Sequence, residues 1–170
     1  MKKYASLIKT VVDFPKPGIA FKDITPLLKD PKAVEACLAK MVADIQGPVD
    51  YVVGIESRGF IFGPLLAQKL GCGFVPIRKK GKLPRQTLAM AYDLEYGQDQ
   101  LEMHCDALPH GANVVLHDDV LATGGTASAA VKLIEQLDGI VVHCHFLMTL
   151  SALGGREKLR AYPVDAVFNF

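Results

Sequence analysis

The chain has few of the residues that build metal sites or disulfide frameworks. Its four cysteines, Cys37, Cys72, Cys105 and Cys144, lie far apart, and none forms a Cys-x-x-Cys pair. That spacing argues against zinc, and nothing suggests a secreted disulfide scaffold. The thiols read as buried core groups. No apolar run approaches the roughly 20 residues that span a bilayer. Lys2-Lys3 leads into a mixed segment rather than the apolar core of a signal peptide. A reducing cytoplasm is the expected compartment. The net charge is only +1, which gives no general pull toward nucleic acid or an acidic membrane. Any anion must therefore be held by local charge. Internal repeats and low-complexity stretches are absent. So are two familiar phosphate-binding fingerprints: no Gly-Lys-Ser or Gly-Lys-Thr follows a glycine turn, and the Gly-x-Gly-x-x-Gly spacing of dinucleotide sites is missing.

A chain of 170 residues, half of them hydrophobic, can bury one substantial core, and a single domain over residues 1–170 is expected. Lys3–Val12 reads as a short amphipathic helix, broken by Phe14-Pro15-Lys16-Pro17-Gly18. Lys32–Gln46 has helical spacing, with Val34, Leu38, Met41, Val42 and Ile45 on one stripe. Tyr51–Ile55 reads as a strand, Glu56–Phe60 as a turn and Ile61–Leu70 as a helix, followed by a strand at Gly73–Ile77. Strands alternating with helices imply an α/β fold whose parallel sheet is covered on both faces. Lys79–Gln100 differs, since Lys79, Lys80, Lys82 and Arg85 crowd beside Gly81 and Pro84. It reads as an alternating strand pair around a basic tip, either a solvated hairpin or a mobile lid.

The most informative run is Val114–Thr126. An apolar strand ends in Asp118-Asp119, Ala122-Thr123-Gly124-Gly125-Thr126 follows, and a helical pattern begins at Ala127. Glycines let successive N–H groups turn inward toward an anion. The next helix adds its free N–H groups and positive dipole end. The carboxylates would repel a phosphate but suit sugar hydroxyls or a divalent cation. Together these features describe a site for a phosphorylated sugar. Glu56-Ser57-Arg58-Gly59 falls at the carboxyl end of another strand, where ligands of such sheets collect.

The acid pair with its Ala-Thr-Gly-Gly-Thr loop resembles the phosphoribosyl pyrophosphate (PRPP) motif of the type I phosphoribosyltransferases. Phe14–Leu28, Glu56–Pro64, Arg78–Arg85 and Tyr92–Gly97 resemble, in order, segments of the adenine phosphoribosyltransferase family. The resemblance implies a type I phosphoribosyltransferase fold: a central, mostly parallel sheet with helices on both faces, a small hood, and a flexible basic loop at about residues 79–100. It implies adenine plus PRPP giving AMP and pyrophosphate, with Mg²⁺ carried by PRPP rather than by direct protein ligands, in a homodimer that binds neither nucleic acid nor membrane. Ala122, Thr123, Gly124, Gly125 and Thr126 would hold the 5′-phosphate, and Asp118 and Asp119 the ribose hydroxyls. Arg58, Ser57, Lys79 and Lys82 would meet the diphosphate. Glu95 would exchange a proton with the purine imidazole ring, and Ala20, Phe21 and Lys22 would contact adenine. The family usually has arginine at the position of Lys22 and an apolar residue at that of His117.

Another base (hypoxanthine, xanthine or orotate) or a non-catalytic PRPP-binding regulator are the alternatives. A regulator normally adds a DNA-binding domain, for which this chain has no room. His143-Cys144-His145 places its two imidazoles on one face of a strand and the thiol on the other, which reads as core rather than as a metal site.

Overall fold

The structure is a computed structural model that describes residues 1–93 and 98–170. Its centre is a seven-stranded sheet ordered β5-β6-β4-β3-β7-β8-β9. The strands are β3 (Tyr51–Ile55), β4 (Gly73–Lys79), β5 (Thr87–Asp93), β6 (Gln98–His104), β7 (Asn113–Leu121), β8 (Ile140–Thr149) and β9 (Val164–Asn169). The five from β4 to β9 in that order run parallel, and the β5–β6 hairpin extends one edge antiparallel. Tyr51-Val52-Val53-Gly54-Ile55 is nearly continuous in apolar character because both faces are covered. On one face pack α2 (Thr25–Leu28), α3 (Pro31–Asp44) and α4 (Gly59–Leu70), through Leu27, Leu38, Met41, Phe62 and Leu66. On the other, α5 (Gly125–Gln136) packs Ala130, Leu133 and Ile134 against Leu116 and Phe146. The expected mostly parallel sheet with helices on both faces is therefore present.

Local chemistry sets several boundaries. Asp30 caps α3 by accepting from the N–H groups of Lys32 and Ala33, and Pro31 starts the helix where its missing N–H costs nothing. The expected helix at Lys3–Val12 is not what forms. A short helix α1 (Lys2–Ala5) gives way to strand β1 (Lys9–Val11), which pairs antiparallel with β2 (Phe21–Asp23). Thr10 and Val11 are β-branched, and pairing with a distant strand overrides the weak helical periodicity. These two strands form the small hood. Strand β9, with no reading in the sequence, adds beside β8.

His117 sits on β7, fully buried and beside His145 of β8. Its Nδ1 lies 2.9 Å from the His145 carbonyl. A carbonyl only accepts, so Nδ1 carries the proton. Burial, with some repulsion from His145, pushes the pKa of His117 down to about 3. His145 and His143 stack at 5.9 Å and reach Asp44 and Asp165 respectively. Burial lowers both of their pKa values as well.

A neutral histidine in the fold contributes stability that is complete above the unfolded value near 6.5 and is lost as pH falls toward about 3. His117→Gln retains an N–H donor but cannot titrate. Urea titrations at pH 7 and pH 4.5 are expected to show about 2–3 kcal/mol less acid-induced loss of stability in the variant than in the parent chain.

Candidate active site

Strand β7 does not stop at the acid pair but runs on to Leu121, so Asp118 and Asp119 are strand residues at its carboxyl end. Asp118 Oδ1 accepts the Asp119 N–H at 2.8 Å. The start of α4 lies directly against them: a Cβ on Gly59 would stand 2.9 Å from the His117 carbonyl and 3.1 Å from Asp118 Oδ1. Glycine permits that approach, which brings the positive end of α4 to the carboxylates. Asp119 is buried, whereas Asp118 keeps partial access to solvent. Burial raises the pKa of both, and the neighbouring charge of Asp119 pushes Asp118 further. Arg58 opposes the rise at Asp119. Its Nε stands 2.9 Å from Asp119 Oδ2, off the hydrogen-bond line. That buried oxygen thus has a charge partner but no hydrogen-bond donor among the described residues.

After β7 the chain turns through Gly124, at φ +78°, into α5. The resulting cradle, lined by Asp118 and residues 120–127, encloses about 80 Å³. Its floor is another backbone. A Cβ on Gly155 would stand 2.3 Å from the Ala122 carbonyl, and one on Gly124 would stand 2.6 Å from the Gly155 carbonyl. The turn at Gly154-Gly155, which opens α6 (Gly155–Lys158), therefore sets the shape of the cradle. Sequence reading passed over Gly155, although an adjacent glycine pair after a strand was a signal for a tight turn.

The cations expected at the diphosphate each rest on a carboxylate of the chain. Lys82 Nζ lies 2.5 Å from Glu56 Oε1, Arg78 Nε lies 3.3 Å from Oε2, and the Lys79 N–H donates to Oε2 at 3.0 Å. Burial acts to raise the pKa of Glu56, but Lys82, the Lys79 N–H and Arg78 together outweigh it and take it down to about 2. Lys79 Nζ pairs with Asp99 at 2.9 Å, and the Tyr92 hydroxyl donates to the same carboxylate at 3.2 Å. Strand β5 packs against α5, which ties the hairpin to the helix that follows the cradle. Ser57 lies in the turn between β3 and α4, and its carbonyl accepts the Phe60 N–H. Glu95 falls outside the described residues. Glu56 and Tyr92 lie in segments read as family motifs and Asp99 two residues beyond the last of them, but their pairing with the cations and with each other needs the fold.

Beyond the acid pair opens a cavity of about 560 Å³, lined by residues 18–22, Arg58, Val120, Leu150, Leu153 and Phe170. Val120, Ala122 and Thr123 border both this cavity and the cradle. Ala20, Phe21 and Lys22 line this cavity, and Arg58 links them to Asp119. The Phe21 ring meets Phe14 edge-on at 5.2 Å and lies 4.8 Å from the Arg58 guanidinium carbon. Arg58 Nη1 donates to the Lys22 carbonyl at 3.1 Å. Among the described residues no group of three or more His, Cys, Asp or Glu side chains is arranged to hold a metal ion.

A glycine-turned cradle, an acid pair and an adjoining cavity lie at the carboxyl ends of parallel strands, and the family model for a phosphoribosyl transferase domain matches residues 23–169. An adenine phosphoribosyltransferase of Flavobacterium johnsoniae is 52% identical over 169 residues, covering 99% of each chain. The crystal structure of adenine phosphoribosyltransferase from Thermoanaerobacter pseudethanolicus superposes with a TM-score of 0.97 at 48% identity, covering 99% of each chain. The Saccharomyces cerevisiae enzyme, solved with D-2,5-dideoxy-2,5-imino-altritol 1,6-bisphosphate and adenine, gives 0.89 at 40% identity, covering 98% of this chain and 99% of that one. The chain belongs to the adenine phosphoribosyltransferase family, and its fold is that of the type I phosphoribosyltransferases.

Two outcomes follow from the site geometry. Gly155→Ala forces the cradle to move, so binding of ribose 5-phosphate, read by calorimetry, is expected to weaken tenfold or more. The raised pKa values of the acid pair mean that the fold is destabilised once both groups ionise, a cost relieved as pH falls through the folded pKa values. Asp118→Asn can still accept the Asp119 N–H without the second charge. Its melting temperature should exceed that of the parent at pH 8 by a few degrees, with the gap closing toward pH 5.

Proposed function

We propose that the chain acts as one phosphoribosyltransferase domain that transfers the 5-phosphoribosyl group of PRPP to adenine, releasing AMP and pyrophosphate. What carries this reading is the adjacency of the cradle, which Asp118 lines, to the larger cavity, the two sharing Val120, Ala122 and Thr123. A phosphate seated on Ala122–Thr126 puts the ribose over Asp118 and Asp119, with carbon 1 facing the cavity where a base can sit. Asp119 Oδ2, buried without a hydrogen-bond donor, is ready to accept a ribose hydroxyl.

The carbon 1–oxygen bond to the diphosphate breaks as a purine nitrogen bonds to the same carbon, through a transition state with oxocarbenium character. The acid pair holds the ring still and favours the cationic ribose. Arg58, Lys79 and Lys82 leave their carboxylates for the diphosphate, with the backbone at Ser57 assisting, and the hairpin excludes water from the ribosyl cation. Glu95 takes the proton that the purine imidazole ring gives up. Phe21 and the backbone of Ala20 and Lys22 place the base. Mg²⁺ carried by PRPP would supply neutralising charge to the leaving diphosphate, with no dedicated ligand needed from the chain. The unpartnered acceptor on Asp119 suits a ribose hydroxyl or a cation brought in with the substrate. The enzyme works as a cytoplasmic homodimer in purine salvage, independent of nucleic acid and membranes; no helix among the described residues is long and apolar enough to cross a bilayer.

The test is product formation from PRPP and Mg²⁺ with adenine, hypoxanthine, guanine or orotate supplied separately. AMP and pyrophosphate from adenine alone are expected. Product from another base would keep the chemistry and change the acceptor, and PRPP binding without any product would indicate a sensor. Glu95→Ala and Lys82→Ala should each lower kcat by about a hundredfold or more while leaving PRPP bound.

A further inference from the structure

Lys22 lines the larger cavity together with Phe170, and its ammonium is engaged both by Phe170 and by Thr10 of the hood. Lys22 and Thr10 face each other across the hood as register partners of β2 and β1, and Lys22 Nζ donates to Thr10 Oγ1 at 2.9 Å. The same nitrogen lies 4.4 Å from the centre of the Phe170 ring, a cation–π contact. Phe170 is itself fixed, because its N–H donates to the Thr149 carbonyl at 2.9 Å and its carbonyl accepts the Ser151 N–H at 2.7 Å. The other cation lining the cavity, Arg58, is engaged by Asp119 and the Lys22 carbonyl. Ile19, Ala20, Leu150 and Leu153 make much of the remaining wall apolar.

An ammonium has three donors and no acceptor. Adenine presents an amino group at its position 6, whereas hypoxanthine presents a carbonyl there. An ammonium free to enter the cavity would bond the carbonyl and meet the amino group donor to donor. We propose that Thr10 and Phe170 are specificity-determining residues that hold the Lys22 ammonium away from the base, so that a 6-aminopurine is taken in preference to a 6-oxopurine. The proposal rests on the adenine-dependent activity stated above. Neither Thr10 nor Phe170 touches the phosphate cradle, and they act through the position of one side chain.

Thr10→Val, Phe170→Leu and the double variant are assayed with adenine and with hypoxanthine at saturating PRPP, each also with Lys22→Met added. The ratio of kcat/KM for hypoxanthine to that for adenine should rise about tenfold in Thr10→Val and further in the double variant, as one charged hydrogen bond becomes available to the carbonyl. Adding Lys22→Met should abolish the rise. A ratio that stays at the parent value in the double variant overturns the proposal. So does a rise that survives Lys22→Met, because cavity size rather than the ammonium would then be the cause. If Phe170→Leu does not fold, Thr10→Val decides alone, since Thr10 is exposed on the hood and outside the cavity wall. Failure of the underlying activity looks different, as the parent chain itself would form no AMP from adenine.

Discussion

Two adjacent carboxylates at the end of a buried strand form the constraint around which the site is arranged. Left alone, Asp118 and Asp119 would repel each other and resist ionisation in a partly dehydrated setting. Three features of the fold bear on that cost. Gly59 brings the positive end of α4 against the pair, Arg58 sets a guanidinium on Asp119, and the Asp119 N–H bonds the Asp118 carboxylate. None removes it fully, so the pair remains under strain until a ligand supplies further donors. Hydroxyls of a bound sugar do so without adding negative charge, whereas a second anion at the same place would make matters worse. Charge alone therefore separates where a phosphate can sit from where a ribose can sit.

The same reasoning explains the pairing of the cations. Lys82 on Glu56, Lys79 on Asp99 and Arg58 on Asp119 leave the site nearly neutral in the free protein. Ion pairs with an exposed lysine contribute roughly 0–1 kcal/mol, while hydrogen bonds to charged groups contribute about 1.5–3. A diphosphate competes well against single carboxylates for such partners. Exchange costs little, and no cation has to be stored unpaired. Glu56 differs from the others, because it also holds Arg78 and the Lys79 N–H. It anchors the base of the hairpin even after Lys82 departs.

How much of this was legible in the sequence depended on how local each feature is. The cradle is one consecutive run, so glycines, hydroxyls and acids in order pointed to its chemistry before any fold was known. The alternation of Tyr51–Ile55, Ile61–Leu70 and Gly73–Ile77 was readable for the same reason, as buried parallel strands and helices each carry their own pattern. The hood was misread as a helix because three-residue strands have almost no period, and only the pairing of Lys9 with Asp23 and Val11 with Phe21 creates them. Strand β9 depends on a similar partner, β8. The contact of Gly155 with Ala122 joins positions 33 residues apart (155 − 122), and no local pattern announces such a meeting. Lys22 was legible as a departure from the family's usual arginine, but its tether to Thr10 was not.

This division between local and distant also separates the two recognition tasks. The cradle and the acid pair belong to one strand and one loop, held by close backbone contacts such as that of Gly124 with Gly155. The larger cavity is lined instead by residues 18–22, by Leu150 and Leu153, and by Phe170, three segments whose arrangement depends on how the hood and β9 dock. Side chains there can be exchanged without disturbing the cradle. A fold with this layout can keep one chemistry on the sugar while its choice of base is set by a few contacts at the periphery. Lys22 is an instance: where the family resemblance leads one to expect the planar fork of arginine, the lysine ammonium is engaged by Thr10 of β1 and by Phe170, which follows β9.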